Sequence, residues 1–302
     1  MRIYGILIIS CFLLFGCSIT VDEEQSSETQ IPTDFDNDTP ESLPVNATPV
    51  PEESASFVEL IENIFHLDWS EKQLANANDI SYLALGDSLT RGVGDEVNRE
   101  GFTKRLSEQI KLWPTVNEVN LDNRGKRGRR SDQLLALLEK GHYDKELAAA
   151  DLITITIGGN DVMKVVKTDL FALKQEMFDA ELTNFTQNYD RIVEEIRQRN
   201  ADAPLILIGF YNPFSIVIDE VTPFESIIDE WNVEIEKRAV ADANACFVPV
   251  NDLFTSNDDM VYHTDFFHPN SKGYDRMTTR IIETMKSCDI EAMSDGLIGF
   301  EE

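Results

Sequence analysis

The sequence predicts an α/β fold in which a parallel β-sheet is covered by helices on both faces. Short apolar segments alternate with longer segments of helical periodicity, and this alternation is typical of βαβ units. Two apolar segments, Leu152–Ile157 and Leu205–Phe210, contain a run of aliphatic residues with little polar interruption. Such runs indicate strands that are buried on both faces of the sheet. The chain has 302 residues, enough for one large domain or two small ones.

Each element follows from a local pattern. The strands are short β-rich apolar runs that end in turn-forming residues, and the helices show apolar residues at helical spacing. We predict strands at Ile80–Leu85, Val116–Leu121, Leu152–Ile157, Leu205–Phe210 and Cys246–Val250, and helices at Ser131–Glu139, Leu182–Arg199, Phe224–Ala241 and Ser271–Lys286.

The N-terminal residues indicate an export signal and not a part of the folded domain. The apolar run Ile3–Phe15 is shorter than the roughly 20 residues of a membrane span, and it suits a signal peptide. It ends in Leu14-Phe15-Gly16-Cys17, which resembles a bacterial lipoprotein signal. The resemblance implies cleavage before Cys17 and a diacylglycerol on its sulfur, with the protein lipid-anchored on the extracytoplasmic face of the cell membrane. The alternative is an uncleaved anchor.

Residues 1–16 are therefore expected to be a signal peptide, and residues 17–56 a lipidated cysteine with a disordered tether. Residues 18–56 contain ten acidic side chains and no lysine or arginine, and they show no helical or strand period. Such a composition does not support a packed core. Ser56 and Glu59 fit a capping box, so the folded domain is expected to span residues 57–302.

Charge and cysteine content limit the partners. The net charge is −29, which argues against nucleic acid. We expect a monomer. Once Cys11 leaves with the signal and Cys17 is lipidated, only Cys246 and Cys288 remain. An exported protein permits a disulfide between them, but two buried thiols are equally compatible with the sequence.

Polar loops follow the predicted strands. The first strand is followed by Gly86-Asp87-Ser88, the second by Asn123–Gly128, and the third by Gly158-Gly159-Asn160-Asp161. The loop after the fifth strand contains Asp265–His268. Because parallel strands all end at one edge of a sheet, where such folds bind their ligands, these loops are expected to meet.

The residues in these loops suit acyl transfer. Ser88 is a candidate nucleophile, His268 its base, and Asp265 the group that orients the histidine. An oxyanion hole could be formed by the backbone N–H groups of Ser88 and Gly128 and by the side-chain amide of Asn160.

This set resembles the SGNH, or GDSL-type, hydrolases. The resemblance is carried by Ser88 in Gly-Asp-Ser-Leu, by Gly128, by Asn160 in Gly-Gly-Asn-Asp and by the Asp265–His268 pair. It implies a flavodoxin-like three-layer α/β/α sandwich with a five-stranded parallel sheet, and a lipase, esterase or acylhydrolase that works through an acyl-enzyme without a cofactor. The chain has no G-x-S-x-G motif, which disfavours an α/β-hydrolase.

Simpler interpretations exist for each motif. Ser88 and Asn160 could be turn residues, and Asp87 favours a structural role in its loop. His268 could be an ordinary surface histidine, or it could bind a metal with His263 and Asp265. For the whole chain, the alternative is a non-catalytic acidic surface lipoprotein that binds a wall polymer or divalent cations.

Three segments are candidates for contact with the substrate. Arg127 lies in a basic segment, residues 124–130, that could attract an anionic ester or could be a solvated loop. Phe214 begins an apolar stretch that could line an acyl pocket or belong to the core. Residues 162–181 are a candidate lid, with Met163, Phe171 and Phe178 as its apolar contacts.

Overall fold

The computed structural model describes residues 77–168, 173–215, 223–255 and 260–300. The predicted signal peptide, the lipidation site at Cys17, the tether and the helix expected at Ser56 lie outside the described residues. Phe171 of the candidate lid also lies outside them.

The sheet confirms the predicted fold class. Five parallel strands are arranged in the order β2-β1-β3-β4-β5. They are β1 (Asn78–Gly86), β2 (Val116–Gly125), β3 (Leu152–Thr156), β4 (Leu205–Ile208) and β5 (Ala245–Val248). β2 runs beyond its predicted end at Leu121 because it continues to pair with β1 as far as Gly125.

The helices connect these strands. The described residues contain α1 (Ser88–Arg91), α2 (Gly101–Ile110), α3 (Ser131–Glu139), α4 (Asp144–Ala149), α5 (Gly159–Thr168), α6 (Gln175–Arg199), α7 (Pro223–Ala241), α8 (Ser271–Ser287) and α9 (Ile290–Met293), with a 3₁₀ turn at Asn251–Phe254. α2 was not predicted from the sequence, although its apolar residues Phe102, Leu106 and Ile110 recur every four residues and are fully buried.

Alternating side chains of the strands form two cores, one on each face of the sheet. In β1, Leu83 and Leu85 pack with the apolar residues of α3 to α7. Tyr82 and Ala84, which point to the opposite face, pack with α2, α8 and α9. The result is a three-layer α/β/α sandwich.

Strand register places three loops side by side. Gly86, at the end of β1, pairs with Gly125 of β2 and with Thr156 of β3. The loops that carry Ser88, Gly128 and Asn160 therefore leave the sheet at the same level and on adjacent strands.

Of the two alternatives for the remaining cysteines, the structure shows the disulfide. Cys246 of β5 and Cys288, the residue after α8, form a disulfide. Within the described part of the chain, no helix combines the length and the apolar character that a membrane span requires.

Candidate active site

Ser88 lies directly after β1 as the first residue of α1. Asp87 caps this short helix, because its Oδ1 accepts hydrogen bonds from the N–H of Leu89 at 2.9 Å and from the hydroxyl of Thr156 at 3.0 Å. The hydroxyls of Thr90 and Thr156 lie 2.7 Å apart. These bonds fix the turn between strand and helix. The Ser88 hydroxyl itself has no hydrogen-bond partner among the described residues.

Asp87 acts on the local structure. Its side chain is buried, and burial raises its pKa to about 7 despite the hydrogen bonds from Leu89 and Thr156. No arginine or lysine forms an ion pair with it within the described ranges. This environment fits the interpretation of Asp87 as a residue that shapes the loop around Ser88.

His268 and Asp265 form a hydrogen-bonded pair after β5. The Nδ1 of His268 lies 2.7 Å from Oδ2 of Asp265. The other oxygen, Oδ1, accepts hydrogen bonds from the backbone N–H groups of His268 at 2.9 Å and Phe267 at 3.1 Å. The carboxylate thus holds both the ring and the backbone of the histidine, and it leaves Nε2 as the ring nitrogen available for a reaction.

Glycine allows the histidine loop to approach the serine loop. Gly94 adopts φ +94°, and a Cβ at this position would lie 2.5 Å from the carbonyl oxygen of Pro269 and 3.0 Å from Cβ of His268. The Tyr274 hydroxyl also donates to the carbonyl of Val93 at 2.8 Å. These contacts join the segment after α1 to the segment that carries His268 and to α8.

The pKa of His268 is lowered from its usual value. Burial is the largest cause, since the side chain is only 7% exposed and the imidazolium loses hydration. Asp265 opposes this effect, while the charges of Arg127 and His263 add to it. A carboxylate beside an imidazole is expected to raise the imidazole pKa, and Asp265 does so, but burial outweighs it and the net shift is downward.

The proposed oxyanion donors come from adjacent loops. Gly128 is the third residue of a turn that the Arg129 N–H closes on the Lys126 carbonyl at 3.1 Å, and its φ of +78° suits glycine at that position. The side-chain amide of Asn160 donates one hydrogen to the Arg129 carbonyl at 3.0 Å, which leaves its second hydrogen free. Among the described residues, the N–H groups of Ser88 and Gly128 have no acceptor.

Asp161 reinforces the contact between these loops. Its carboxylate accepts hydrogen bonds from the backbone N–H of Ser131 at 3.0 Å and from the Ser131 hydroxyl at 2.6 Å. Asn188 of α6 donates to the same hydroxyl at 3.0 Å. Burial raises the pKa of Asp161 to about 6. This contact was not predicted from the sequence, in which Asp161 was considered only as part of the Gly-Gly-Asn-Asp motif.

The basic segment is not one uniform patch. Arg129 is 6% exposed and donates to the carbonyls of Gly86 at 3.1 Å and Arg124 at 2.6 Å, so it holds the ends of β1 and β2. Arg124 forms ion pairs with Asp122 and Glu146, and Arg130 with Asp132. Exposed cations without an ion-pair partner among the described residues of this segment are Lys126 and Arg127.

An apolar cleft opens beside Ser88. It contains about 470 Å³ of empty space, part of which is open to solvent. Its walls come from the loops after β1, β3 and β4 and from the histidine loop. The lining residues are Asp87, Ser88, Leu89, Gly159, Asn160, Val162, Met163, Phe210, Tyr211, Pro213, Ile228 and Phe267.

One expected substrate contact and one expected lid contact do not line this cleft. Phe214 is not among the cleft residues, and its ring packs against Phe224 at a centroid distance of 4.8 Å. Phe178, an expected lid contact, is buried in the core and also packs against Phe224. Met163 of α5 does line the cleft.

The metal alternative is not supported by a ligand cluster. The described residues contain no group of three or more histidine, cysteine, aspartate or glutamate side chains arranged to hold a metal ion. Asp265 lies 2.7 Å from His268 but 3.8 Å from His263, so the carboxylate is paired with one of the two histidines.

Comparisons with known proteins agree with this geometry. A model of the GDSL-like lipase/acylhydrolase family matches residues 84–276. A protein of Bacillus subtilis strain 168, the uncharacterised YpmR, is 34% identical over 205 residues, which cover 67% of this chain and 80% of YpmR. The spore germination lipase LipC of Bacillus licheniformis is 28% identical over 210 residues, covering 67% of this chain and 94% of LipC.

A solved structure shows the same architecture. The lipase Lip_vut3 from a goat rumen metagenome superimposes with a TM-score of 0.60 at 26% sequence identity, covering 68% of this chain and 97% of that lipase. The family model, which matches residues 84–276, spans Ser88, Gly128, Asn160, Asp265 and His268.

Proposed function

The chain belongs to the GDSL-like lipase/acylhydrolase family and is an ester hydrolase of the esterase/lipase type; on this basis we propose that Ser88, His268 and Asp265 are its catalytic residues. The observation that carries the proposal is the arrangement of the loops. A serine hydroxyl without a partner, a buried histidine held by a carboxylate, and free N–H donors come from four strand ends at one edge of the sheet.

Acylation begins with proton transfer from the Ser88 hydroxyl to Nε2 of His268. The serine oxygen attacks the ester carbonyl, and Asp265 stabilises the imidazolium that forms. The lowered pKa of His268 keeps the ring neutral, and therefore able to accept a proton, at neutral pH. The imidazolium then protonates the leaving alcohol as the carbon–oxygen bond breaks, which produces an acyl-serine.

The negative charge on the carbonyl oxygen would be stabilised by the Ser88 and Gly128 N–H groups and by the free hydrogen of the Asn160 amide. Deacylation repeats the sequence with water as the nucleophile. His268 takes a proton from the water, the acyl–oxygen bond to Ser88 breaks, and the proton returns to the serine. The products are an acid and an alcohol, and the reaction uses no cofactor.

The apolar cleft favours substrates with an acyl chain. Its walls include aliphatic and aromatic side chains such as Val162, Met163 and Ile228, next to Ser88 and Asn160. An acyl chain placed there would leave water, and burial of apolar area stabilises a complex by about 25 cal/mol per Å². The lipases among the relatives support this assignment.

Hydrolysis of a p-nitrophenyl ester tests the nucleophile. Ser88→Ala is expected to lower kcat by roughly 10⁴- to 10⁶-fold, as loss of a serine nucleophile does elsewhere. Ser107→Ala, on α2, is the matched control and should retain activity. A fluorophosphonate probe should label the wild type at Ser88, identified by peptide mass, and should not label Ser88→Ala. Full activity of Ser88→Ala would contradict the mechanism.

We also propose that the enzyme is tethered to the cell membrane through Cys17. The support is the sequence Leu14-Phe15-Gly16-Cys17 after an apolar run, followed by an acidic segment with little apolar content. Cys17→Ser should abolish lipid attachment and cleavage before residue 17. Unchanged mass and unchanged partitioning into detergent in this variant would contradict the tether.

A further inference from the structure

Two exposed cations lie at the edge of the site, in the turn that contains Gly128. Lys126 and Arg127 are exposed, they precede Gly128, and neither has an ion-pair partner among the described residues. The other basic residues of the segment are buried or paired, as shown above. The backbone of the turn does not depend on these two side chains, because the Lys126 N–H donates to Gly86 and its carbonyl accepts from Arg129.

The cations and the apolar cleft lie on opposite sides of Ser88. Ser88 follows β1, and the turn with Lys126 and Arg127 follows β2, the neighbour of β1 on one side. Much of the cleft is formed by residues after β3 and β4, on the other side, including Val162 and Phe210. Adjacent strands are about 4.8 Å apart. An ester bound at Ser88 would therefore reach the apolar cleft at one end and the turn with Lys126 and Arg127 at the other.

The chemistry assigns the two halves of the ester. The acyl chain suits the apolar cleft. The alcohol must lie close to His268, because this residue protonates the leaving oxygen. Arg127 is near enough to His268 for its charge to lower the pKa of the imidazole. A negatively charged group on the alcohol would therefore meet Arg127 and Lys126.

The overall negative charge of the protein opposes the binding of an anionic substrate, so local cations are needed to bind one. With a net charge of −29, the molecule as a whole repels negatively charged substrates. Two unpaired cations beside the reacting groups offset this repulsion at the point of binding.

Building on the proposed serine mechanism, we propose that the substrate is an acyl lipid whose alcohol carries a phosphate group, with the acyl chain in the apolar cleft and the phosphate contacting Lys126 and Arg127. The products would be a fatty acid and a phosphorylated alcohol. A bare phosphate polymer with short acyl groups would use the cations but not the cleft.

The test compares two soluble esters that differ only in the phosphate: octanoyl glycerol and octanoyl glycerol phosphate. The selectivity, defined as kcat/KM for the phosphate ester divided by kcat/KM for the neutral ester, is measured for the wild type and for Lys126→Gln/Arg127→Gln. The control is Lys140→Gln/Lys145→Gln, two exposed lysines that form no ion pair among the described residues. Lys140 follows α3, roughly 13 Å along that helix from the site edge.

The selectivity should fall about 10-fold in the Lys126/Arg127 variant at low salt, mainly through KM of the phosphate ester, and should stay near the wild-type value in the control. Wild-type selectivity should also decrease as salt rises. Arg127→Lys alone should keep most of the selectivity, because it keeps the charge.

Three results would overturn the proposal. They are unchanged selectivity in the double variant, an equal fall in the control, or a wild type that prefers acetyl glycerol phosphate to the octanoyl ester. Failure of the mechanism is distinguishable, because hydrolysis of the neutral octanoyl ester by Ser88→Ala would contradict the serine mechanism whatever the selectivity.

Discussion

Replacement of Asn160 by alanine separates catalysis from stability. The Asn160 amide donates one hydrogen to the Arg129 carbonyl at 3.0 Å, and we propose that the other stabilises the oxyanion. Loss of a partly buried hydrogen bond costs about 0.5–1.5 kcal/mol of folding free energy. Loss of one oxyanion donor costs about 2.7–4 kcal/mol in the transition state, or about 10²- to 10³-fold in kcat.

The two effects are measured in different assays. kcat on a p-nitrophenyl ester reports the transition state, and urea unfolding reports the free energy of unfolding. Asn160→Ala should therefore lose about 10²- to 10³-fold in kcat with little change in KM, while its unfolding free energy falls by only about 1 kcal/mol. Asn160→Asp should lose more activity, since it replaces the donor by a group that repels the oxyanion.

Asn188→Ala is the matched control. Its amide also makes a partly buried 3.0 Å hydrogen bond, to the Ser131 hydroxyl, one contact away from the site. It should lose similar stability but less than about 3-fold in kcat. If Asn160→Ala retains kcat within about 3-fold, Asn160 is not an oxyanion donor. If Asn188→Ala loses as much activity as Asn160→Ala, the effect comes from the loop and not from the donor.

Three further perturbations have defined outcomes. Only the neutral ring of His268 accepts the serine proton, and its pKa is lowered, so kcat/KM on a neutral ester should stay near its maximum at pH values below the usual histidine pKa of about 6.5. Arg127→Gln should move the fall in activity at acid pH to a higher pH, because a charge that lowers the pKa of His268 is removed; no shift would show that Arg127 does not act on His268. Cys246→Ala/Cys288→Ala should lower stability by roughly 4 kcal/mol, measured by urea unfolding, since the disulfide joins residues 42 apart; a change below about 1 kcal/mol would contradict that estimate. Arg129→Gln should lower both Tm and activity on a neutral ester, because a buried group that bridges two strand ends is lost; full activity with an unchanged Tm would refute that positioning role.

Much of the fold was predictable because it depends on local patterns. The apolar runs, the loops after them and the rule that parallel strands end at one edge are sufficient to bring Ser88, Asn160 and His268 to the same region. Strand ends were less predictable. β2 continues to Gly125 through polar residues, because pairing with β1 and not apolar content decides where it stops.

The properties that depend on burial could not be predicted. In the sequence, the basic residues of the segment 124–130 look equivalent, yet Arg129 is buried against carbonyls while Arg127 is exposed. The sequence also shows Asp265 beside His268 but not the packing that removes water from the ring. Burial therefore outweighs Asp265, and the pKa of His268 is lowered.

The loops that carry the proposed oxyanion donors are joined to each other in the absence of substrate, so substrate binding need not bring the donors together. The loops after β2 and β3 are tied together by two contacts, Asn160 to the Arg129 carbonyl and Asp161 to Ser131. Both contacts lie within three residues after Gly128 and use groups other than its N–H. Donors held by such bonds before the substrate arrives require little reorganisation as charge develops, and this is the condition under which they stabilise a transition state more than a ground state.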